Sequence, residues 1–113
     1  MQNKIKINLK FKDYEFRRVT RMGETSVIYT KKEWVGKTVL IIPVPITVTD
    51  RWIERQQDFD ERINDMIYDV TIESDTIIKK VIGVSSNVGR VYVPKELLGL
   101  DCLVIEAPFL NNF

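Results

Sequence analysis

Basic side chains are the groups in this sequence best suited to a chemical role, and they form two short clusters. Arg17, Arg18 and Arg21 make the first cluster, and Lys79 and Lys80 make the second. Guanidinium and ammonium groups neutralise phosphates and release counterions from a nucleic acid backbone. Such contacts position a protein on a duplex without specifying its sequence. The clusters could therefore contact DNA phosphates, and the competing interpretation is that they belong to ordinary solvated strand faces.

Residues that support catalysis are scarce. The chain has no histidine, which removes the commonest general base and metal ligand. Its one cysteine, Cys102, begins an apolar run and is interpreted as a small core residue, and a single cysteine excludes a disulfide framework and a cysteine zinc site. The sequence also lacks a phosphate-binding loop and a nucleophile paired with a base. We therefore expect a non-enzymatic protein with no metal and no cofactor.

Length and composition indicate one domain over residues 1–113 that can bury a core. The chain is 44% hydrophobic and 29% charged. No apolar stretch approaches the ~20 residues that a membrane-spanning helix needs. The first residues alternate Lys and Ile instead of forming the apolar block of a signal peptide. We expect a soluble protein of the cytoplasm without membrane contact.

Charge is distributed unevenly along the chain, although the net charge is only +1. Residues 1–43 hold ten Lys/Arg and four Asp/Glu, whereas residues 44–78 hold three Arg and nine Asp/Glu. Residues 79–113 are nearly balanced, with four Lys/Arg and three Asp/Glu. A basic lobe beside an acidic segment predicts a polarised molecule.

The elements that must position the basic clusters recur at an offset of 63 residues. Residues 28–42 align with 91–105 without a gap, and six of these fifteen positions are identical. The identical positions are 29/92, 32/95, 33/96, 36/99, 40/103 and 42/105. Upstream, Arg17-Arg18-Val19 matches Lys79-Lys80-Val81 only after a one-residue slip, which we expect near Gly23 or Ser86. The sequence thus predicts repeat one at 4–43 and repeat two at 68–108.

Each repeat has the pattern of a mainly β unit with one short helical turn. Alternating apolar and polar residues predict the first strands, and turn-forming residues separate them from later strands. Glycine ends each helical turn because it adopts the left-handed conformation readily. A last apolar strand in each repeat is expected to be buried on both faces. The predicted ranges are 4–10, 16–21, 27–29, 31–35 and 38–42 in repeat one, and 69–73, 78–84, 90–93, 94–98 and 102–105 in repeat two.

The segment between the repeats, 44–67, is acidic. It can begin with a short edge strand at 46–48, and a helix is predicted across about 50–65 because apolar residues recur at spacings of four and three. That stripe comprises Trp52, Gln56, Phe59, Ile63 and Met66. Trp52 and Phe59 either pack on the rest of the domain or form a protein-binding site. The acidic side chains either solubilise the helix or keep DNA off one side; they are Asp58, Asp60, Glu61 and Asp65.

The run Gly89–Leu100, GRVYVPKELLGL, carries a family resemblance. A glycine turn, an apolar strand ending in proline, a short helix and a closing strand resemble the AbrB/SpoVT/MazE class of swapped-hairpin domains. The chain is especially similar to small AbrB-like proteins of archaeal transposons and mobile elements. Two such halves usually exchange hairpins between chains. The resemblance therefore implies a swapped-hairpin β-barrel formed by two tandem repeats, an intramolecular pseudo-dimer that is monomeric as a folding unit.

The resemblance also implies where DNA would bind. The family's arginine after the turn glycine matches Arg90, and its basic pair on the second strand matches Arg17-Arg18 and Lys79-Lys80. Repeat one departs from the pattern at Val27, which stands opposite Arg90 in the alignment. The implied function is a DNA-binding transcriptional regulator of a virus, plasmid or transposon. The alternative is a protein-binding module, such as an antitoxin-like partner or a host-directed inhibitor.

Overall fold

A computed structural model of the chain describes residues 5–55 and 66–106. The described residues form eleven strands and two single 3₁₀ turns. The first half contains β1 (Ile5–Phe11), β2 (Tyr14–Arg18), β3 (Thr20–Met22), β4 (Thr25–Thr30), a 3₁₀ turn (Lys32–Trp34) and β5 (Thr38–Pro43). The remainder contains β6 (Thr47–Arg55), β7 (Met66–Ser74), β8 (Ile78–Val81), β9 (Gly83–Ser85), β10 (Val88–Val93), a second 3₁₀ turn (Lys95–Leu97) and β11 (Asp101–Glu106).

These strands form three antiparallel sheets. The first sheet has the order β2-β11-β5-β8 and is called the central sheet below. The sheet with the order β3-β4-β10-β9 is called the groove sheet, and the sheet with the order β1-β7-β6 is called the opposite sheet. The predicted mainly β class is confirmed. Within residues 5–55 and 66–106, however, no strand pairing closes the sheets into the barrel that the resemblance implied. No helix in these two ranges is long and apolar enough to cross a membrane.

The two middle strands of the central sheet, β5 and β11, are buried on both faces because their alternate residues belong to two different core clusters. Val39 and Cys102 pack with Ile28 of the groove sheet. Leu40 and Leu103, one position further along each strand, belong to the cluster of the opposite sheet. Adjacent residues of a strand point to opposite faces, so an apolar residue is required at every position. The prediction of a fully buried last strand in each repeat is confirmed.

The two halves of the structure repeat the same elements 63 residues apart. The strands β3, β4 and β5 and the first 3₁₀ turn map onto β9, β10, β11 and the second 3₁₀ turn with identical lengths. Gly36 and Gly99 have nearly equal positive φ values, +84° and +85°. The Gly36 N–H donates to the Ile82 carbonyl at 2.8 Å, and the equivalent Gly99 N–H donates to the Val19 carbonyl at 3.0 Å. Both bonds join one half to the other, as a pseudo-two-fold relation requires.

The predicted one-residue slip between the repeats is wrong. Val19 and Ile82, which are 63 residues apart, are both only 1% exposed and make equivalent backbone bonds. The similarity of Arg-Arg-Val to Lys-Lys-Val favoured the slip, but burial decides the register, because moving a strand by one residue turns its buried side chains outward. In the observed register Arg17 is therefore equivalent to Lys80, and Arg18 to Val81.

The halves complete each other's sheets. In the central sheet, β2 of the first half pairs with β11, and β8 of the second half pairs with β5. In the groove sheet, β4 pairs with β10, and in the opposite sheet β1 pairs with β7. Each described sheet is thus assembled from both halves. Either half alone would leave strands without their partners and core clusters open to water.

The predicted helix across 50–65 is wrong over residues 50–55, where the chain continues in β6. This strand pairs with β7 at the edge of the opposite sheet, with a register irregularity between Val48 and Asp50. The segment Thr47–Arg55 contains several β-branched residues, and β7 satisfies its backbone groups, so the long-range pairing outweighs the helical spacing. The predicted edge strand is confirmed at 47–48 as the start of β6. Residues 56–65, which hold Phe59 and the four acidic side chains named above, lie outside the described residues, as does the Trp52 side chain.

Candidate nucleic-acid interface

Arg90 is held on the outer face of the groove sheet by neighbouring side chains. It is the direct cross-strand partner of Tyr29. Its guanidinium carbon lies 5.2 Å from the ring centroid of Tyr92, a cation–π distance. The Arg90 Nη1 donates to the Met22 sulfur at 3.4 Å, and the Tyr29 hydroxyl donates to the same sulfur at 3.4 Å. These contacts restrict the rotamers of Arg90 while leaving its charge without an acidic partner among the described residues.

Lys80 reaches the same region from a different sheet. It lies on β8 opposite Val39, whose side chain belongs to the core cluster facing the groove sheet. Directly opposed residues on antiparallel strands share a face, so Lys80 projects toward the groove sheet as well. Lys80 and Arg90 line one shallow groove of about 270 Å³, which is called the Lys80–Arg90 groove below. Its other lining residues include Val81, Gly83, Val84 and Tyr92.

Strand alternation separates the two members of each predicted basic pair. Arg17 lies opposite Cys102 and therefore shares the groove-sheet side with Lys80. Lys79 lies opposite Leu40, whose cluster faces the opposite sheet. Arg18, adjacent to Arg17 on β2, likewise projects away from the groove sheet. The structure thus brings Lys80 and Arg90 together and turns Arg18 and Lys79 to the other side of the central sheet.

Acidic neighbours neutralise the arginines of β2. The Arg17 Nε donates to Glu15 Oε2 at 3.1 Å, and its Nη2 contacts the same carboxylate oxygen. The Arg18 Nε donates to Asp101 Oδ1 at 3.2 Å. Within the described part of the chain, no ion pair involves the remaining sequence-predicted cations, which are Arg21, Lys79, Lys80 and Arg90. All but Arg90, which is half-buried, are exposed.

Sequence reasoning missed the aromatic and apolar surroundings of the groove. Tyr29 and Tyr92 occupy equivalent positions and are both exposed on the groove sheet. Val81 and Val84 are more than three-fifths exposed, beside Lys80. The identity of positions 29 and 92 was the available signal, because core packing does not require tyrosine at an exposed strand position. The site is therefore a basic groove with an aromatic wall, whereas the sequence indicated two basic clusters alone.

Cys102 takes no part in this surface. It is fully buried, which confirms its interpretation as a core residue. Burial, with a smaller contribution from the neighbouring Asp101 carboxylate, raises the pKa of the Cys102 thiol to about 11. The thiolate is the reactive form of cysteine, so the side chain is inert near neutral pH.

The described residues also offer no obvious centre for a metal ion, since no three of their Cys, Asp or Glu side chains come together. A positive charge, an aromatic ring and a shallow concavity occur together at the Lys80–Arg90 groove. Comparisons with protein-family models, with curated proteins and with solved structures found no match for this chain.

Proposed function

We propose that this protein is a non-enzymatic, AbrB-like DNA-binding protein that contacts double-stranded DNA through the Lys80–Arg90 groove. One observation carries the proposal: two cations from different sheets converge on one groove, and neither has a carboxylate partner among the described residues. Unpaired cations at a surface are available to neutralise phosphates. In this proposal the regulated DNA belongs to a virus, plasmid or transposon, as in the small proteins that the sequence resembles.

The interlocked halves support the AbrB-like assignment. Exchange of strands between two similar units is the defining feature of a swapped-hairpin pair, and here β2 and β8 each complete the central sheet of the other half. Because residues 44–65 connect the halves covalently, their pairing is intramolecular and independent of concentration. We therefore propose a monomeric pseudo-dimer, and expect light scattering after gel filtration to give the mass of one chain at every concentration loaded.

The two cations suit different contacts. Lys80 carries a compact charge on an exposed, flexible stem, which favours phosphate binding. Arg90 is restrained by Tyr92 and Met22, so less conformational freedom is lost when its planar guanidinium forms directed hydrogen bonds. Arginine is the residue most often found on guanine edges in the major groove. The proposal therefore assigns backbone positioning to Lys80 and the more specific contact to Arg90.

A salt titration tests this proposal. The affinity for a duplex is measured by fluorescence anisotropy across a salt series, for the wild type and for the double variant Lys80→Gln/Arg90→Gln. The slope of log affinity against log salt changes by about 0.9 per phosphate contact in duplex DNA, so losing the phosphate contact assigned to Lys80 should flatten it by roughly 1. Lys95→Gln, an exposed change in the second 3₁₀ turn, is the matched control. Equal slopes for the double variant and the wild type contradict the proposed interface.

The alternative function is a protein-binding module, and the exposed aromatic side chains of β2 favour it. Phe16 is 59% exposed and meets Tyr14 edge to face, with ring centroids 6.1 Å apart. Such a pair on the outermost strand of the central sheet resembles the apolar anchors of protein interfaces. The salt titration discriminates between the two functions, because a protein-binding module predicts no salt-dependent affinity for duplex DNA.

A further inference from the structure

We infer that DNA contact is one-sided: the second half of the pseudo-dimer provides the DNA-binding surface, and ion pairs occupy two of the three sequence-predicted arginines of the first half. This inference rests on the proposed function and specifies the kind of duplex that the protein recognises. A symmetric pair of binding surfaces matches a palindromic site. One basic groove matches a single, asymmetric site.

The neutralisation is visible when equivalent residues are compared. Lys80 corresponds to Arg17, and the residue two positions earlier is Ile78 in the second half but Glu15 in the first. Glu15 holds Arg17 in an ion pair, and Ile78 offers Lys80 no such partner. The same structural position therefore carries an unpaired cation, Lys80, in the second half and a cation held in an ion pair, Arg17, in the first half.

A second pair of equivalent positions extends the difference. Arg90 corresponds to Val27, which is 0% exposed and uncharged. The first half thus lacks the cation that stands on the aromatic wall of the Lys80–Arg90 groove. Nearby, Lys31 is paired with Asp13 and also lies 4.6 Å from the ring centroid of Trp34. The corresponding second-half residues, Pro94 and Thr76, are uncharged, so this ion pair has no counterpart in the second half.

One cation opposes this trend. Arg21 is exposed and its equivalent is Val84. Val84 lines the Lys80–Arg90 groove, so Arg21 stands at the equivalent surface of the first half. Among the described residues it is the one sequence-predicted cation of the first half without an ion pair, whereas the second half presents both Lys80 and Arg90 at the groove.

Matched neutralisations of equivalent residues test the inference in the full-length protein. Lys80→Gln should weaken duplex binding by about fivefold or more, whereas Arg17→Gln should change it by less than about twofold. Because Arg17→Gln leaves Glu15 unpaired and able to repel DNA, Glu15→Gln/Arg17→Gln serves as the second variant and should also stay within that range. Thermal melting of each variant confirms that the fold is retained.

The recognised sequence gives an independent readout. Duplexes selected from a randomised library by the wild-type protein should share one asymmetric motif. Equal losses for the Glu15/Arg17 variant and the Lys80 variant, or a palindromic selected motif, would overturn one-sided binding while leaving DNA binding intact. If the wild type has no salt-dependent affinity for any duplex, the proposed function itself fails, and this inference with it.

Discussion

Gly89 is the position at which the smallest change should have the largest effect on folding. It is buried in β10, directly opposite Thr30 of β4. A Cβ atom at this position would lie 2.6 Å from the Thr30 Oγ1, 2.7 Å from the Ile82 Cγ2 and 3.1 Å from the Lys31 carbonyl oxygen. The first two distances are well inside van der Waals contact, and Thr30 and Ile82 are themselves buried. Neither neighbour can move aside without disturbing the junction between the halves.

Two opposing effects determine the size of the loss in Gly89→Ala. Overpacking a well-filled core costs about 1–3 kcal/mol. Replacing glycine by alanine restricts the unfolded chain and returns about 0.4–1 kcal/mol, since Gly89 has no positive φ that alanine would oppose. The net expectation is a loss of about 1–2 kcal/mol in the free energy of unfolding. In a domain of this size that corresponds to a fall in melting temperature of roughly 4–15 °C.

Urea unfolding, followed by circular dichroism, measures this difference. Gly83→Ala is the matched control, because its added Cβ would meet only the Arg90 carbonyl oxygen, at an ordinary 3.5 Å. We expect Gly83→Ala to be as stable as the wild type or up to about 1 kcal/mol more stable, because the same restriction of the unfolded chain acts without a clash. The steepness of both transitions should be unchanged. If Gly89→Ala proves as stable as Gly83→Ala, the packing argument for this junction is refuted.

Three further outcomes follow from the structure. The raised pKa of Cys102 keeps the thiol protonated in the native state between pH 9 and about 11, where the unfolded thiol loses its proton, so the free energy of unfolding should fall by roughly 1.4 kcal/mol per pH unit across this window. Urea unfolding at pH 8 to 11 should show this fall for the wild type and not for Cys102→Val, and equal slopes of unfolding free energy against pH for the two proteins would contradict the prediction. Gly36→Ala and Gly99→Ala should each lower the free energy of unfolding by about 1–2 kcal/mol in thermal melting, because both glycines have a positive φ that alanine disfavours, whereas neither added Cβ would meet an atom within 4 Å. Unequal losses would argue against equivalent turns in the two halves. A double-mutant cycle on the exposed Arg18–Asp101 pair should give a coupling below about 1 kcal/mol, and a larger value would mean that solvent screens this pair less than its exposure indicates.

The sequence predicted those parts of the fold that depend on local patterns. Apolar alternation, the turn glycines and the repeat at 63 residues were sufficient for the β class and for the two similar halves. The strand β6 could not be predicted beyond Val48, because its partner β7 decides its conformation, and an apolar spacing of four and three competed for the same residues. The register at Val19 and Ile82 was similarly obscured, since charge similarity suggested one alignment and burial required another.

The candidate site was only half predictable for a related reason. Strand periodicity alone could have separated Arg17 from Arg18, because neighbouring residues of a strand face opposite sides. The ion pair between Arg18 and Asp101 joins residues 83 positions apart, and no local pattern indicates it. The convergence of Lys80 and Arg90 likewise needs two sheets to pack together. Basic residues can be found in a sequence, but their availability depends on tertiary neighbours.

Covalent fusion of two halves explains how such an asymmetry can arise. In a homodimer a substitution changes both copies, so a cation lost from one surface is lost from its mate. In a single chain, positions that both halves need for packing stay alike, as Gly36 and Gly99 do in their left-handed turns. Positions that need not be alike for packing are free to diverge, as the buried Val27 and its equivalent Arg90 do. The packing that the two halves share then accounts for the fold, and the difference in charge between them accounts for the one-sided DNA binding that we propose.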